Sequence, residues 1–145
     1  MPYSRCRTAG FTLVELLLVI IIIGVLAAMV VPSLAGRGEE ARIAAARADI
    51  RGTLGTALDM YEMDTGSYPT TAQGLDALLR EPSGVTGWRG PYLREADVPL
   101  DPWGNPYVYK YPGDNPPLPY DLLSYGRDGR EGGGDDIANY DIDRR

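Results

Sequence analysis

Oxygen donors crowd one short stretch near the C-terminus, Tyr125-Gly-Arg-Asp-Gly-Arg-Glu-Gly-Gly-Gly-Asp-Asp-Ile137. Asp128, Glu131, Asp135 and Asp136 fall within nine residues, with four glycines between them and a fifth, Gly126, just before. A hard cation such as calcium takes about six to eight oxygens from carboxylates and carbonyls on a tightly turning chain. Glycine supplies the backbone freedom such a turn needs. The order of acidic residues is not that of an EF-hand. On its residues alone the stretch is either a calcium loop of another design or a solvated acidic turn. Catalysis fits it less well. A glycosidase-like pair needs a cleft and one acid with a raised pKa, and nothing here points to a substrate groove. The chain has no histidine and one cysteine, Cys6, and its serines fall in no nucleophile motif. No enzymatic activity is expected.

A second carboxylate stands out for its surroundings. Phe11 to Val31 is an apolar run interrupted only by Thr12, Gly24 and the single charge of Glu15, and Pro32 follows it. Wound as a helix, the run is about 30 Å long, the depth of a bilayer's hydrocarbon core. An ionised carboxylate there costs on the order of 3 kcal/mol. Glu15 either reaches out to the headgroups or needs a cation, because a buried charge is stable only when paired. No Lys or Arg lies in the run. A free amino terminus is the cation left.

These two sites need elements to carry them. At 145 residues the chain suits one domain plus a stem, and roughly 110 residues after Val31 suffice for one modest core. Pro32, Gly36 and Gly38 mark the end of the apolar helix or a kink in it. Beyond Glu39, the residues Ile43, Ala46, Ile50, Leu54, Ala57, Leu58 and Tyr61 recur every three or four positions. That spacing predicts an amphipathic helix to about Asp64, closed by Gly66. Gly52 and Gly55 are out of place in it unless something packs closely there. A short helix is predicted from Ala72 to Arg80, capped by Thr70 or Thr71 and stopped by Pro82. Val108–Tyr111 and Tyr120–Tyr125 read as strands around a Pro/Gly turn, with a third strand near Asn139–Ile142. Trp88 and Trp103 sit in turn-forming sequence and are expected to pack it onto the domain rather than to stack on a ligand. The formal net charge of −6 argues against nucleic acid as a partner.

The residues before the run make the reading specific. Arg5 and Arg7 precede Ala-Gly-Phe-Thr-Leu-Val-Glu-Leu, residues 9–16. This resembles the type III signal of prepilins and pseudopilins. The resemblance implies cleavage between Gly10 and Phe11 by a prepilin peptidase on the cytoplasmic side, followed by N-methylation of the Phe11 amine. It also implies that Glu15 pairs with the Phe11 amine of a neighbouring subunit during assembly. The chain would then divide into a leader (1–10), a transmembrane and filament stem (11–31) and a periplasmic head (32–145). Loss of the leader takes Arg5, Arg7 and Cys6, so the mature chain would carry no cysteine and no disulfide.

Three further stretches narrow the family. Tyr68-Pro-Thr-Thr-Ala-Gln-Gly-Leu-Asp-Ala-Leu through Pro82, Asp101-Pro-Trp-Gly-Asn-Pro-Tyr107, and the acidic loop are similar to segments of the type II secretion major pseudopilins, the G subunits. That likeness implies an α+β pilin-like fold: a long N-terminal helix on a small antiparallel sheet, with a C-terminal calcium-type loop. It implies one calcium ion, held by the side chains of Asp128, Asp135 and Asp136 and by the carbonyls of Tyr125 and Arg130. Tyr125 stands where the family has Leu, and Glu131 falls between matched positions. The implied role is that of the major subunit of a helical pseudopilus. It would grow from the bacterial inner membrane with minor pseudopilins, an assembly platform and its ATPase, and drive folded proteins across the outer membrane. The alternatives are a type IV pilin of a surface pilus, for adhesion, motility or DNA uptake, and a membrane-anchored calcium-binding domain that never polymerises. The lack of a C-terminal disulfide argues against the pilin.

Overall fold

The computed structural model describes residues 11–141, without the side chains of 28–37. Helix α1 runs Leu13–Ala48. It starts on a reciprocal cap. The Glu15 N–H donates to Thr12 Oγ1 (3.2 Å), and the Thr12 N–H donates to Glu15 Oε2 (3.4 Å). Pro32 does not end the helix, contrary to one of the two sequence readings. The loss of a single helical hydrogen bond is absorbed within α1. From Phe11 to Ala27 the side chains are exposed, with Phe11 at 77% and Ile20 at 68%. Among the described residues no helix is long and apolar enough to cross a membrane, and the described side chains of the apolar run stop at Ala27.

By compactness the chain separates after Glu39. The second unit holds the core. After Ala48 the helix widens into a π-helical turn, Asp49–Leu54, and continues as α2, Gly55–Thr65. Gly66 closes α2 in the left-handed conformation at φ 83°, its N–H donating to the Glu62 carbonyl. The spacing-derived stripe is the buried face. Ala46, Ile50, Leu54, Ala57, Leu58 and Tyr61 are each at most 2% exposed, and Ile43 packs at their edge. The two glycines differ. A Cβ on Gly55 would stand 2.8 Å from the Ile50 carbonyl oxygen, whereas one on Gly52 would meet nothing within 4 Å. Gly55 is thus the residue that the close approach requires.

The expected helix at 72–80 is only a 3₁₀ turn, Leu75–Leu78. Gly74, at φ 61° and ψ −163°, breaks the chain direction just before it. Neither threonine caps it, since its N-cap is Gly74 without a side-chain bond. Thr70 closes the preceding turn with Gln73, the Gln73 N–H donating to Thr70 Oγ1 and the Thr70 N–H to Gln73 Oε1. Thr71 instead ties this segment to the hairpin. Its hydroxyl donates to the Tyr111 carbonyl and accepts from the Tyr111 N–H, both at 2.9 Å.

The sheet is antiparallel in the order β1-β2-β3: Val108–Lys110, Asp121–Ser124 and Ile137–Ala138. Tyr109 opposes Leu122, and Ser124 opposes Ile137. The third strand lies two residues earlier than its predicted start at Asn139, and the far end of that expectation, Ile142, lies outside the described residues. Asn139 acts as a polar clamp instead, its side chain accepting from the Leu122 N–H and donating to the Tyr120 carbonyl. Trp88 packs as expected. Its Nε1–H donates to the Ala77 carbonyl at 2.9 Å, and its ring meets Tyr92 edge-on at 5.7 Å. Trp103 lies half-buried against the core.

Candidate functional site

The acidic loop leaves β2 at Ser124 and returns at β3, so two hydrogen-bonded neighbours of the sheet hold its ends. Within it the carboxylates bind the loop's own amides. Asp135 Oδ2 accepts from the Asp128 N–H (3.1 Å), Asp128 Oδ1 from the Arg130 N–H (2.9 Å), and Asp136 Oδ2 from the Gly132 N–H (2.8 Å). The second oxygens matter more for an ion. Asp136 Oδ1 is shut from solvent with no hydrogen-bond partner among the described residues. Asp128 Oδ2 and Asp135 Oδ1 both lie about the place where a Cβ on Gly133 would stand, at 2.9 and 3.0 Å from it. Gly133 has φ 84°, so glycine is needed here both for its backbone conformation and to leave room between two carboxylates.

Three carboxylates do not yet converge on one point; among the described residues no group of three or more metal-ligating side chains is gathered as a formed site. What the loop offers is hard oxygen donors, an orphaned buried carboxylate oxygen and a gap that any side chain would fill. That donor chemistry suits calcium. Arg130 contributes its N–H to Asp128, and Glu131 is exposed.

A polar frame stands behind the loop. Asp101, 4% exposed, begins the Asp-Pro-Trp-Gly-Asn turn. Its Oδ1 accepts from the N–H groups of Trp103 (3.0 Å) and Asn105 (2.7 Å). Its Oδ2 accepts from the Ser124 hydroxyl at 2.5 Å, and Ser124 Oγ accepts from the Gly126 N–H at 3.0 Å. Asn105 Nδ2–H donates to the Gly126 carbonyl at 3.1 Å. Two residues later the same turn reaches the long helix, where the Tyr107 hydroxyl donates to Asp49 Oδ2 at 3.0 Å. Burial, with Asp49 beside it, pushes the Tyr107 phenol far up.

At the other end of the chain, Gly10, before the expected cleavage point, lies outside the described residues. Phe11 is exposed just ahead of α1. Glu15 lies in the first turn of α1, where Thr12 engages its carboxylate. Sequence reasoning passed over this cap, although Thr-x-x-Glu at a helix start is its standard signal. It also passed over Asp101, Asn105 and Ser124 as a frame. The turn was legible, but its partner across the sheet was not.

Two family sequence models match most of the chain. "Prokaryotic N-terminal methylation motif" covers residues 5–31 and "Type II secretion system (T2SS), protein G" covers 33–143. A type II secretion system core protein G from Pseudomonas aeruginosa is 45% identical over 145 residues, covering 95% of this chain and 99% of the relative. The protein of the same name from Escherichia coli K12 is 46% identical, covering 96% and 95%. The crystal structure of the major pseudopilin from the type 2 secretion system of enterohaemorrhagic Escherichia coli superposes with a TM-score of 0.65 at 37% identity, over 78% of this chain and 98% of that one. With its methylation motif, its helix-on-sheet head and these relatives, the chain belongs to the type II secretion system protein G family, the major pseudopilins.

Proposed function

We propose that this protein is the major structural subunit of a type II secretion pseudopilus. The observation that carries the reading is the match along most of the chain, with a methylation motif over 5–31 followed by a protein G head over 33–143. The exposed apolar side chains from Phe11 to Ala27 support it, because so large an apolar surface is stable only in lipid or against other copies. In this reading the chain is held in the inner membrane by residues 11–31, cleaved after Gly10 and methylated at Phe11. It passes into a filament whose stems bury one another. Glu15 exchanges its local cap for the Phe11 amine of a neighbour, which fixes the axial register. Minor pseudopilins, the assembly platform and its ATPase are the partners. The chain is a structural subunit, and the work of secretion comes from the ATPase.

One calcium ion in the acidic loop belongs to the same reading. Asp128, Asp135 and Asp136 would hold it, with the carbonyls of Tyr125 and Arg130. The ion supplies positive charge to a loop that otherwise gathers carboxylates against one another. The orphaned Asp136 Oδ1 and the gap at Gly133 support this assignment.

A deletion strain tests the function. Exoproteins should be stranded in the periplasm while surface pili and twitching stay intact. Normal secretion with lost pili would assign the chain to a surface pilus instead.

A further inference from the structure

A ligand loop of thirteen residues and five glycines is floppy unless something holds its start, since ordering each residue costs backbone entropy. Gly126 is where this one is held. Its N–H donates to Ser124 Oγ and its carbonyl accepts from Asn105, so both polar groups of one residue are fixed by elements outside the loop. The same Gly126 lies against the backbone carbonyl and the carboxylate of Asp135, leaving no space for a Cβ. The start of the loop and the segment bearing Asp135 and Asp136 are thereby pressed together. Behind Ser124 stands Asp101, a buried carboxylate that accepts three hydrogen bonds, one of them from that hydroxyl at 2.5 Å. A bond that short is in the range of a charge-assisted O–H···O⁻ pair.

We propose that Asp101, acting through the Ser124 hydroxyl, is the positioning residue of the cation loop: the Asp101–Asn105 turn sets Gly126, and Gly126 sets the spacing between Asp128 and Asp135. Asp101 does not touch the ion. It holds the loop in its binding shape before an ion arrives, so its loss appears as weaker binding and as a looser metal-free loop. The inference rests on the calcium reading of the loop for its first consequence but not for its second.

The test uses the full-length chain in detergent micelles, with calcium itself as the probe. Ser124→Ala and Asp101→Asn should each weaken calcium binding by calorimetry about tenfold or more, the usual scale for residues that orient a ligand shell. In chelator, hydrogen exchange at Gly126 and along the loop should accelerate in both variants. Thr71→Ala removes a comparable hydroxyl clamp elsewhere in the head and should leave calcium affinity unchanged. Unaltered affinity in Ser124→Ala, or an equal loss in Thr71→Ala, overturns the proposal. If the parent protein binds no calcium, the metal reading fails. The positioning role then stands on faster loop exchange in Ser124→Ala and falls if exchange is unchanged.

Discussion

Asp136→Asn separates a metal ligand from a merely structural carboxylate. The substitution keeps the shape of the side chain and the oxygen that accepts from the Gly132 N–H, and removes one negative charge. In chelator two effects oppose each other. A charge-assisted hydrogen bond becomes a neutral one, costing about 1 kcal/mol. The buried Oδ1 without a partner becomes an uncharged amide NH2, so the relief of a buried charge, on the order of 1–3 kcal/mol, is partly offset by the amide donors buried in its place. The metal-free variant should therefore melt close to the parent. With free calcium at a hundred times its dissociation constant, the parent gains about 2.7 kcal/mol from binding, or roughly 10 °C in a head of this size. The variant should forfeit most of that gain. The assay is thermal unfolding of the full-length chain in micelles, followed by circular dichroism in calcium and in chelator. An equal fall in both buffers would mean that Asp136 is a structural carboxylate and that no ion site lies beside it.

Gly52→Ala and Gly55→Ala should move stability in opposite directions. The first adds a methyl to open space and gains about 0.5–1 kcal/mol of helix propensity. The second drives a Cβ to 2.8 Å from the Ile50 carbonyl oxygen and should lose about 1–3 kcal/mol by urea unfolding; stabilisation by both would refute the tight backbone approach. Glu15→Ala should abolish filaments in reconstituted assembly, seen by electron microscopy, while processing after Gly10 and membrane insertion persist; normal filaments would end the pairing argument. Burial pushes the phenols of Tyr68 and Tyr120 up to about 12, the first helped by Asp59 and the second by Asp59 and Tyr68. A raised phenol contributes stability that is complete below pH 10 and lost as the pH climbs toward 12. The melting temperature should thus be level from neutrality to about pH 10 and then fall. A melting temperature that stays level through about pH 12 would contradict that burial.

What the sequence disclosed was whatever one element carries by itself. The stripe from Ile43 to Tyr61 needed only helical spacing, and each of its members packs into or against the core. The hairpin strands were legible from short alternating runs either side of a Pro/Gly turn, and Gly66 from its place after the last apolar residue. The loop's Asp residues were visible as a composition. Less visible were features made by two distant stretches at once. The π-helical turn comes with a close backbone approach at Gly55, which shows only in three dimensions. The 3₁₀ turn at Leu75 replaced a longer helix because of the conformation of one glycine. Asp101 and Ser124 are 23 positions apart, and neither looks like part of a loop site until the sheet brings them to 2.5 Å.

The wide turn at Asp49–Leu54 gives the long helix a peculiar arithmetic. Ala46, Ile50, Leu54 and Leu58 stand four apart without exception, and all are at most 1% exposed. On an ordinary α-helix each step of four overshoots a full revolution by about 40°, so three steps would swing Leu58 about 120° away from Ala46. A π turn spends more residues on a revolution and winds that excess back, like a leap day correcting a calendar. The strict fourfold beat is thus a written record of the slackened turn. Removing one residue from it would let the segment wind as an ordinary α-helix, in which the eleven remaining steps of about 100° still bring Leu58 within about 20° of Ala46, so the two ends keep the same side inside.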